Sequence, residues 1–282
     1  MARFLSGAVR ARIGHLVFSS LGPGRDRVLE LLLDSLGDER PALSFGQSIW
    51  PPSERPTKLR ADISSGVHSK ADLFSRLAQA TPGATLIAAS DCGLPLFDLV
   101  EASLRAGMQL IYLAWAPQGE SIDRFARDLL DPSGTPSPRA AHAAALAQAI
   151  PLALPVWVGV EHAPDGSFCI SEIAETFYKN GVADVASPAG LRTRSLFGFQ
   201  AESPSADQGL VGSFSATGFV PACLGRIAAE AGTASSSLAS ELFDAKPIAG
   251  VSATGFGLQG VESTRVHRWR PPDRAFESTK RA

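Results

Sequence analysis

The chain has 282 residues, of which 45% are hydrophobic and 19% are charged, and its formal net charge is −2. This length is enough to bury one sizeable α/β core, and the charge balance provides no overall basic field that would attract nucleic acid or an acidic membrane. The three cysteines, Cys92, Cys169 and Cys223, form no CxxC pair, which argues against a disulfide framework and a zinc site. We therefore expect a cytoplasmic protein without a nucleic-acid partner.

The N-terminal ten residues lack an apolar run of the length that a signal peptide requires. No stretch approaches the roughly 20 apolar residues of a membrane span, so we expect none. The composition, with 26 Gly, 20 Pro and few lysines, resembles that of GC-rich bacterial genomes.

An apolar strand from residue 12 ends in Gly22-Pro23-Gly24 and continues as a helix to Leu36. Such a turn leaves backbone N–H groups unpaired at the positive end of the helix dipole, which suits a phosphate. Arg25 and Arg27 add positive charge, whereas Asp26 caps the helix or opposes the anion. The pattern Gly-x-x-x-x-Gly-Lys-Ser/Thr is absent, and a plain packing turn is the favoured interpretation of this stretch alone.

The middle of the chain alternates short buried strands with amphipathic helices. Strands are predicted at 84–89 and 109–115, with helices at 69–80 (Ser69 as N-cap), 96–106 and 122–130; residues 42–50 are a short strand or a buried loop, and 51–68 an irregular loop. The strand ends at Gly22, Ser90 and Trp115 should converge on one edge of one parallel sheet, which is where ligands bind in such folds.

Further strands and helices are expected after a linker at 131–138. The patterns predict a helix at 140–150, a strand at 153–161, a helix at 171–180 with Ser171 as N-cap, and helical segments at 221–232 and 239–243. The alternation over 12–181 favours a doubly wound α/β fold. We divide the chain into a nucleotide-binding-like core (1–186), a less regular C-terminal part of the same domain (187–264) and a basic tail (265–282).

Two C-terminal features stay open at this point. The pentapeptide Ser-Ala-Thr-Gly-Phe occurs at 215–219 and again at 252–256, and two similar turns are the favoured explanation. The tail at 265–282 is either a solvated end or a contact for an acidic protein partner.

The order of these features resembles the bacterial sulfotransferase family. Gly22-Pro23-Gly24-Arg25-Asp26-Arg27 stands where that family has its Gly-Pro-His-Lys-Thr-Gly-Thr-Thr loop, Ala88-Ala89-Ser90-Asp91 is similar to its Ser-Ser-Glu strand end, and Tyr112-Leu113-Ala114-Trp115 with Ser121 stands where it has Tyr-Leu-Arg and a serine. The resemblance implies a three-layer α/β fold, P-loop NTPase- or sulfotransferase-like, with a mostly parallel sheet flanked by helices and a less regular C-terminal segment.

It also implies a cofactor and a reaction. The cofactor would be 3′-phosphoadenosine 5′-phosphosulfate, without a metal, and the sulfuryl group would pass to a hydroxyl of a glycan or small molecule. In this hypothesis Arg25 and the 22–27 backbone bind the phosphosulfate, Ser121 contacts the nucleotide, and Asp91 or His68 acts as the base. Asp91 is equally a strand-end cap, and His68 and His162 are each more often ordinary histidines than functional ones.

Two other hypotheses follow from what the loop lacks. The family's loop lysine and both hydroxyl residues are missing, and its 3′-phosphate arginine is replaced by Ala114 or Trp115. A catalytically inactive relative that uses the same fold for binding or assembly is therefore the alternative. A nucleotide-dependent kinase of similar topology is less favoured, because the Walker lysine and a Mg²⁺-binding hydroxyl are absent.

Overall fold

A nine-stranded sheet with helices on both faces forms the protein in this computed structural model. The structure describes residues 1–20, 22–36, 40–45, 59–62, 69–80, 83–130, 139–162, 168–179, 190–201 and 212–243. His68, the second pentapeptide and the tail at 265–282 lie outside these residues. The strands are β1 His15–Ser19, β2 Ala42–Phe45, β3 Leu59–Asp62, β4 Thr85–Ala89, β5 Gln109–Trp115, β6 Val156–His162, β7 Phe168–Tyr178, β8 Leu191–Ala201 and β9 Gly212–Ala216.

Eight helices are present in the described part of the chain. They are α1 Ala2–Arg10, α2 Gly22–Asp34, α3 Lys70–Ala78, α4 Leu96–Ala106, α5 Ile122–Leu130, α6 Arg139–Ala153, α7 Leu224–Glu230 and α8 Ser235–Phe243. The N-terminal helix α1 was not predicted. The Ser69 cap of α3 is confirmed, since its side chain accepts a hydrogen bond from the Asp72 backbone N–H.

The strand order is β3-β2-β4-β5-β1-β6-β7-β8-β9. All pairings from β3 to β6 are parallel, and those from β6 to β9 are antiparallel. The prediction of an α/β fold with a mostly parallel sheet between helices is thus confirmed. Parallel neighbouring strands need crossover connections, which are usually helices. These helices cover both faces of the sheet.

A separate hydrophobic cluster lies on each face of the sheet. Helices α3 to α6 contribute Leu73, Leu99, Phe125 and Ile150 to one cluster. Helices α1, α2, α7 and α8 contribute to the other, with members that include Phe4, Leu29, Leu32, Ile227 and Phe243. The chain therefore leaves β1 on one face but leaves β4 and β5 on the opposite face, which places a topological switch point between β1 and β5.

The predicted helix at 171–180 is wrong, because residues 171–178 lie in strand β7. β7 pairs with β6 and β8 through irregular registers, including a shift between Ile173 and Ala174, and both of these side chains are fully buried. Successive side chains of a strand point to opposite faces, and Ile173 and Ala174 lie in the clusters on the two faces of the sheet. Because the strand is buried on both faces here, it lacks the apolar–polar alternation by which a half-buried strand is recognised. The expected strand–helix alternation therefore stops at β6.

The sheet also continues through residues 191–201 and 212–216, where the sequence signal is weak. The first Ser-Ala-Thr-Gly-Phe copy begins in β9 and ends in a turn, in which the Thr217 backbone N–H donates to the Leu196 carbonyl. The division of the chain at residue 186 stays a prediction. Among the described residues, no helix combines the length and apolar character needed to cross a bilayer.

Candidate functional site

The carboxyl ends of β4, β5, β1 and β6 lie side by side, as the sequence predicted for the first three. Ala89 pairs with Leu113, and Ser19 pairs with both Trp115 and Val160 on its two sides. The Ala116 backbone N–H donates to the Ser19 carbonyl and extends the contact beyond the strand end. This edge, next to the switch point, is the place where an open α/β sheet binds ligands.

Helix α2 begins almost directly after β1. Only two residues separate Ser19, the last residue of the strand, from Gly22, the first of the helix. The sequence analysis predicted a glycine-rich turn, whereas Gly22, Pro23 and Gly24 lie in the helix itself. An extended loop that encircles a phosphate is therefore not formed by these three residues, and the only backbone donors that they contribute are those of a helical first turn.

His162 occupies the space beside this first turn. Its Nε2 lies 3.1 Å from the Ser19 hydroxyl, and both side chains are buried. A Cβ atom at Gly24 would stand 2.7 Å from the same Nε2 and 2.9 Å from Val160 Cγ1. Glycine is required at position 24 because the helix packs directly against the end of β6.

The segment after β5 contacts the backbone of His162. The Gln118 Nε2 donates to the His162 backbone carbonyl at 3.1 Å, and the His162 ring lies 5.9 Å from that of Phe168. The ring is therefore held between β1, α2 and β7, while the segment after β5 holds the backbone of the same residue. The sequence indicated neither the Ser19–His162 pair nor its partner Gln118. The one sequence feature that pointed to the pair was that Ser19 and His162 stand at the ends of two predicted buried strands.

The charged residues of the first turns of α2 pair with their neighbours. The Arg25 Nε lies 3.6 Å from Asp26 Oδ1, and Arg27 donates to Glu30. Burial raises the pKa of Asp26, and the positive charge of Arg25 opposes that shift. The positive charge that the sequence placed at this helix start is therefore offset by carboxylates within the same helix.

Two further predicted residues lie near this edge but on other elements. Asp91 is exposed in the turn after β4, and the preceding Ser90 backbone N–H donates to the Leu113 carbonyl at 2.8 Å. Ser121 precedes α5, where its hydroxyl accepts a hydrogen bond from the Arg124 N–H at 3.3 Å and so acts as a helix cap. The roles of Arg25, Asp91 and Ser121 in a reaction stay predictions.

Trp115 is the large apolar side chain exposed at this edge. It is 63% exposed at the end of β5, a strand whose other residues are all buried. Trp115 is the register partner of Ser19 on the adjacent strand β1, so it is next to one member of the Ser19–His162 pair in the sheet. Among the residues that the structure describes, no group of three or more His, Cys, Asp and Glu side chains is arranged to hold a metal ion.

Comparisons with known proteins do not assign a family. No protein-family model matches the sequence, and no curated protein matches it. Among solved structures, the chain is similar to the VirB11 ATPase from the Brucella suis type IV secretion system in complex with sulphate, with 17% identity and a TM-score of 0.46. The match covers 61% of this chain and 51% of that chain, so the chain spans about half the length of the structure that it matches. A likeness at this level carries no argument about activity.

Proposed function

We propose that this protein is a catalytically inactive α/β protein that acts as a binding or assembly factor. The observation that carries the proposal is the packing at the start of α2, where a buried Ser19–His162 pair is in contact with Gly24. Sulfuryl and phosphoryl transfer both need preorganised positive charge on the leaving phosphate. At this edge the Gly-Lys-Ser/Thr pattern is absent, and Arg25 is paired with Asp26.

The exposed part of the same edge supports a role in binding. Trp115 is an aromatic side chain of the type that anchors protein interfaces. The exposed residues Ser90 and Asp91 follow the neighbouring strand β4, and the exposed Gln118 follows β5 itself. An exposed tryptophan on an otherwise buried strand offers a large apolar area to a partner. The proposed docking surface is therefore this edge of the sheet.

Sulfuryl transfer from 3′-phosphoadenosine 5′-phosphosulfate to a glycan or small-molecule hydroxyl is the competing proposal. Its support is the convergence of the β1, β4 and β5 ends on one edge, with the exposed Asp91 as the candidate base. In that mechanism Arg25 would have to leave Asp26 and contact the phosphosulfate. The two proposals differ in whether the nucleotide binds at all.

Calorimetric titration with 3′-phosphoadenosine 5′-phosphate, with and without Mg²⁺, tests the proposal. We expect no binding at millimolar nucleotide. Micromolar binding, which corresponds to about −8 kcal/mol, would contradict the proposal if it were lost in Arg25→Ala, and it would make the transfer reaction the primary hypothesis. Binding that required Mg²⁺ would instead indicate a kinase-like site.

The role of Trp115 can be measured separately. Trp115→Ala should reduce recovery of a partner that the wild-type protein binds. Leu152→Ala should not, because this side chain, which is 71% exposed, lies at the end of α6 just before the amino end of β6. Equal recovery by both variants would exclude this edge as the docking surface.

A further inference from the structure

Four arginines lie at the opposite edge of the sheet, on or around the turn that joins α1 to β1. Arg10 is the last residue of α1, Arg12 lies in the turn, Arg40 precedes β2, and Arg226 lies in α7. Arg226 Nη2 donates to the Ala11 carbonyl at 2.9 Å and to the Arg12 carbonyl at 3.2 Å, and Arg40 donates to the Arg10 carbonyl. We name these four residues the arginine cluster.

The turn in the middle of the cluster is a helix C-terminal motif with an unusual residue. The Ile13 N–H donates to the Ala8 carbonyl at 2.9 Å and the Arg12 N–H to the Val9 carbonyl at 3.1 Å, which is the Schellman pattern. Arg12 stands at the left-handed position with φ 56°, and it is the only non-glycine residue with positive φ among the described residues. Glycine is the residue that this position favours.

The side chain of Arg12 packs against Gly83. A Cβ atom at Gly83 would lie 2.8 Å from the nearest guanidinium nitrogen of Arg12, so the guanidinium rests directly on the Gly83 backbone. It remains exposed in that position. The turn thus carries a conformational cost, and in return it presents an ordered guanidinium to solvent.

The charge of the cluster is only partly neutralised. Glu230 lies 3.6 Å from Arg40 and is the carboxylate that pairs with the cluster. Within the part of the chain that the structure describes, neither Arg10 nor Arg12 has a carboxylate within ion-pair distance. Because the whole protein has a net charge of −2, this positive surface is a local feature.

We propose that the arginine cluster binds an acidic segment of a partner protein, with Arg10 and Arg12 as the residues that contact its carboxylates. Guanidinium groups bind carboxylates through paired hydrogen bonds. The cluster has only a few cationic side chains and includes a pair with Glu230, whereas binding to a phosphodiester backbone relies on many phosphate contacts, so a short acidic segment is the better match. This surface lies at the other end of the strands from Trp115 and does not depend on the function proposed there.

Fluorescence anisotropy with a labelled oligoglutamate peptide tests the proposal, with a DNA duplex as the second probe. We expect the wild-type protein to bind the peptide with an affinity that falls as salt is added, because the contacts are between exposed charges. The double variant Arg10→Gln/Arg12→Gln should weaken peptide binding by about tenfold or more. Arg105→Gln, on α4 and paired with Glu101, is the matched control and should leave the affinity unchanged.

A second variant separates binding from folding. Arg12→Gly places the favoured residue in the left-handed position, so its fold should be at least as stable as that of the wild type. It should nevertheless bind the peptide less tightly. Unchanged peptide affinity in both variants would overturn the proposal, and so would duplex binding that is tighter than peptide binding and is lost in the same double variant.

Discussion

Arg12 occupies a backbone conformation in which most side chains are disfavoured. Its φ of 56° lies in the left-handed region, where residues with a Cβ lose roughly 1–2 kcal/mol relative to a right-handed conformation. We expect Arg12→Gly to increase the free energy of unfolding by about 1 kcal/mol, measured by urea denaturation. Arg12→Ala keeps the Cβ and removes the same charge, so it should not stabilise the protein. Equal stabilisation by both substitutions would attribute the effect to charge.

His15 is a fully buried histidine in β1, between Ile111 and Val156 of the neighbouring strands. Among the residues that the structure describes, neither ring nitrogen has a hydrogen-bond partner. Burial lowers the pKa of His15 to about 4, and the backbone of Ile13 opposes this shift weakly without meeting hydrogen-bond geometry. The folded protein therefore holds this imidazole neutral at a pH at which the unfolded chain protonates it.

This shift predicts a loss of stability on acidification. A folded pKa below the unfolded value of about 6.5 leaves stability intact above that pH and reduces it as the pH falls to about 4. The complete loss is of the order of 3 kcal/mol. We expect His15→Leu to remove this contribution, so that the free energy of unfolding of the variant changes less between pH 7 and pH 4 than that of the wild type. Parallel pH profiles for the two proteins would contradict the prediction.

Helix α2 and the end of β6 approach each other through Gly24. A Cβ at this position would lie 2.7 Å from His162 Nε2, so Gly24→Ala has to displace the buried ring or the helix start. We expect a loss of about 1–3 kcal/mol in the free energy of unfolding, as for other overpacked sites. Gly225→Ala in α7 is the control, since its nearest neighbour, the Ser235 hydroxyl, is 4.0 Å away. That substitution should stabilise by up to about 1 kcal/mol, because alanine favours the helix.

The sequence predicted the elements whose burial pattern is simple. Strands β4 and β5 are buried along their length, apart from the final Trp115, and are bounded by turn residues, so their position and their common edge were readable. In β7 the polar residues Glu175 and Thr176 are buried next to Ile173 and Ala174, which resembles neither an alternating strand nor a solvent-exposed helix face. Partners distant in sequence determine this burial. Thr176, for example, donates its N–H to the Pro155 carbonyl and its hydroxyl to that of Leu154.

The sequence predicted where the candidate site lies but not which side chains are in contact there. Topology brings the strand ends together, and that much follows from β–α alternation. The contact between Ser19 and His162 depends on β1 and β6 being neighbours in register, across 143 residues of sequence. The packing of the α2 start against His162 depends in turn on the absence of a side chain at Gly24. Neither feature has a local sequence signal.

At the scale of the whole molecule, Glu175 connects the antiparallel strands to the helices that follow them. Its side chain is 3% exposed, and one oxygen accepts from Arg194 of β8 at 2.7 Å. The other accepts from the Ala222 backbone N–H at 2.6 Å, just before α7. The Arg194 guanidinium also lies over the rings of Phe177 and Phe219, so one carboxylate orders β7, β8 and the start of α7 together.

The continuous sheet and this connection predict that the parallel and antiparallel halves unfold together. Thiol labelling resolved by site reports both halves, because the partly buried Cys92 follows β4 and the buried Cys223 precedes α7. In a urea titration the two cysteines should lose protection at the same midpoint. Glu175→Gln should lower both midpoints equally, through a loss of about 1.5–3 kcal/mol, because it weakens the charge-assisted hydrogen bonds that Glu175 accepts from the partly exposed Arg194 and from Ala222. Asp128→Asn, at an exposed pair with Arg124, should change stability by less than about 0.5 kcal/mol. An earlier transition at Cys223 than at Cys92 would show that the antiparallel half is a separate folding unit, since a single cooperative unit exposes all its buried thiols together.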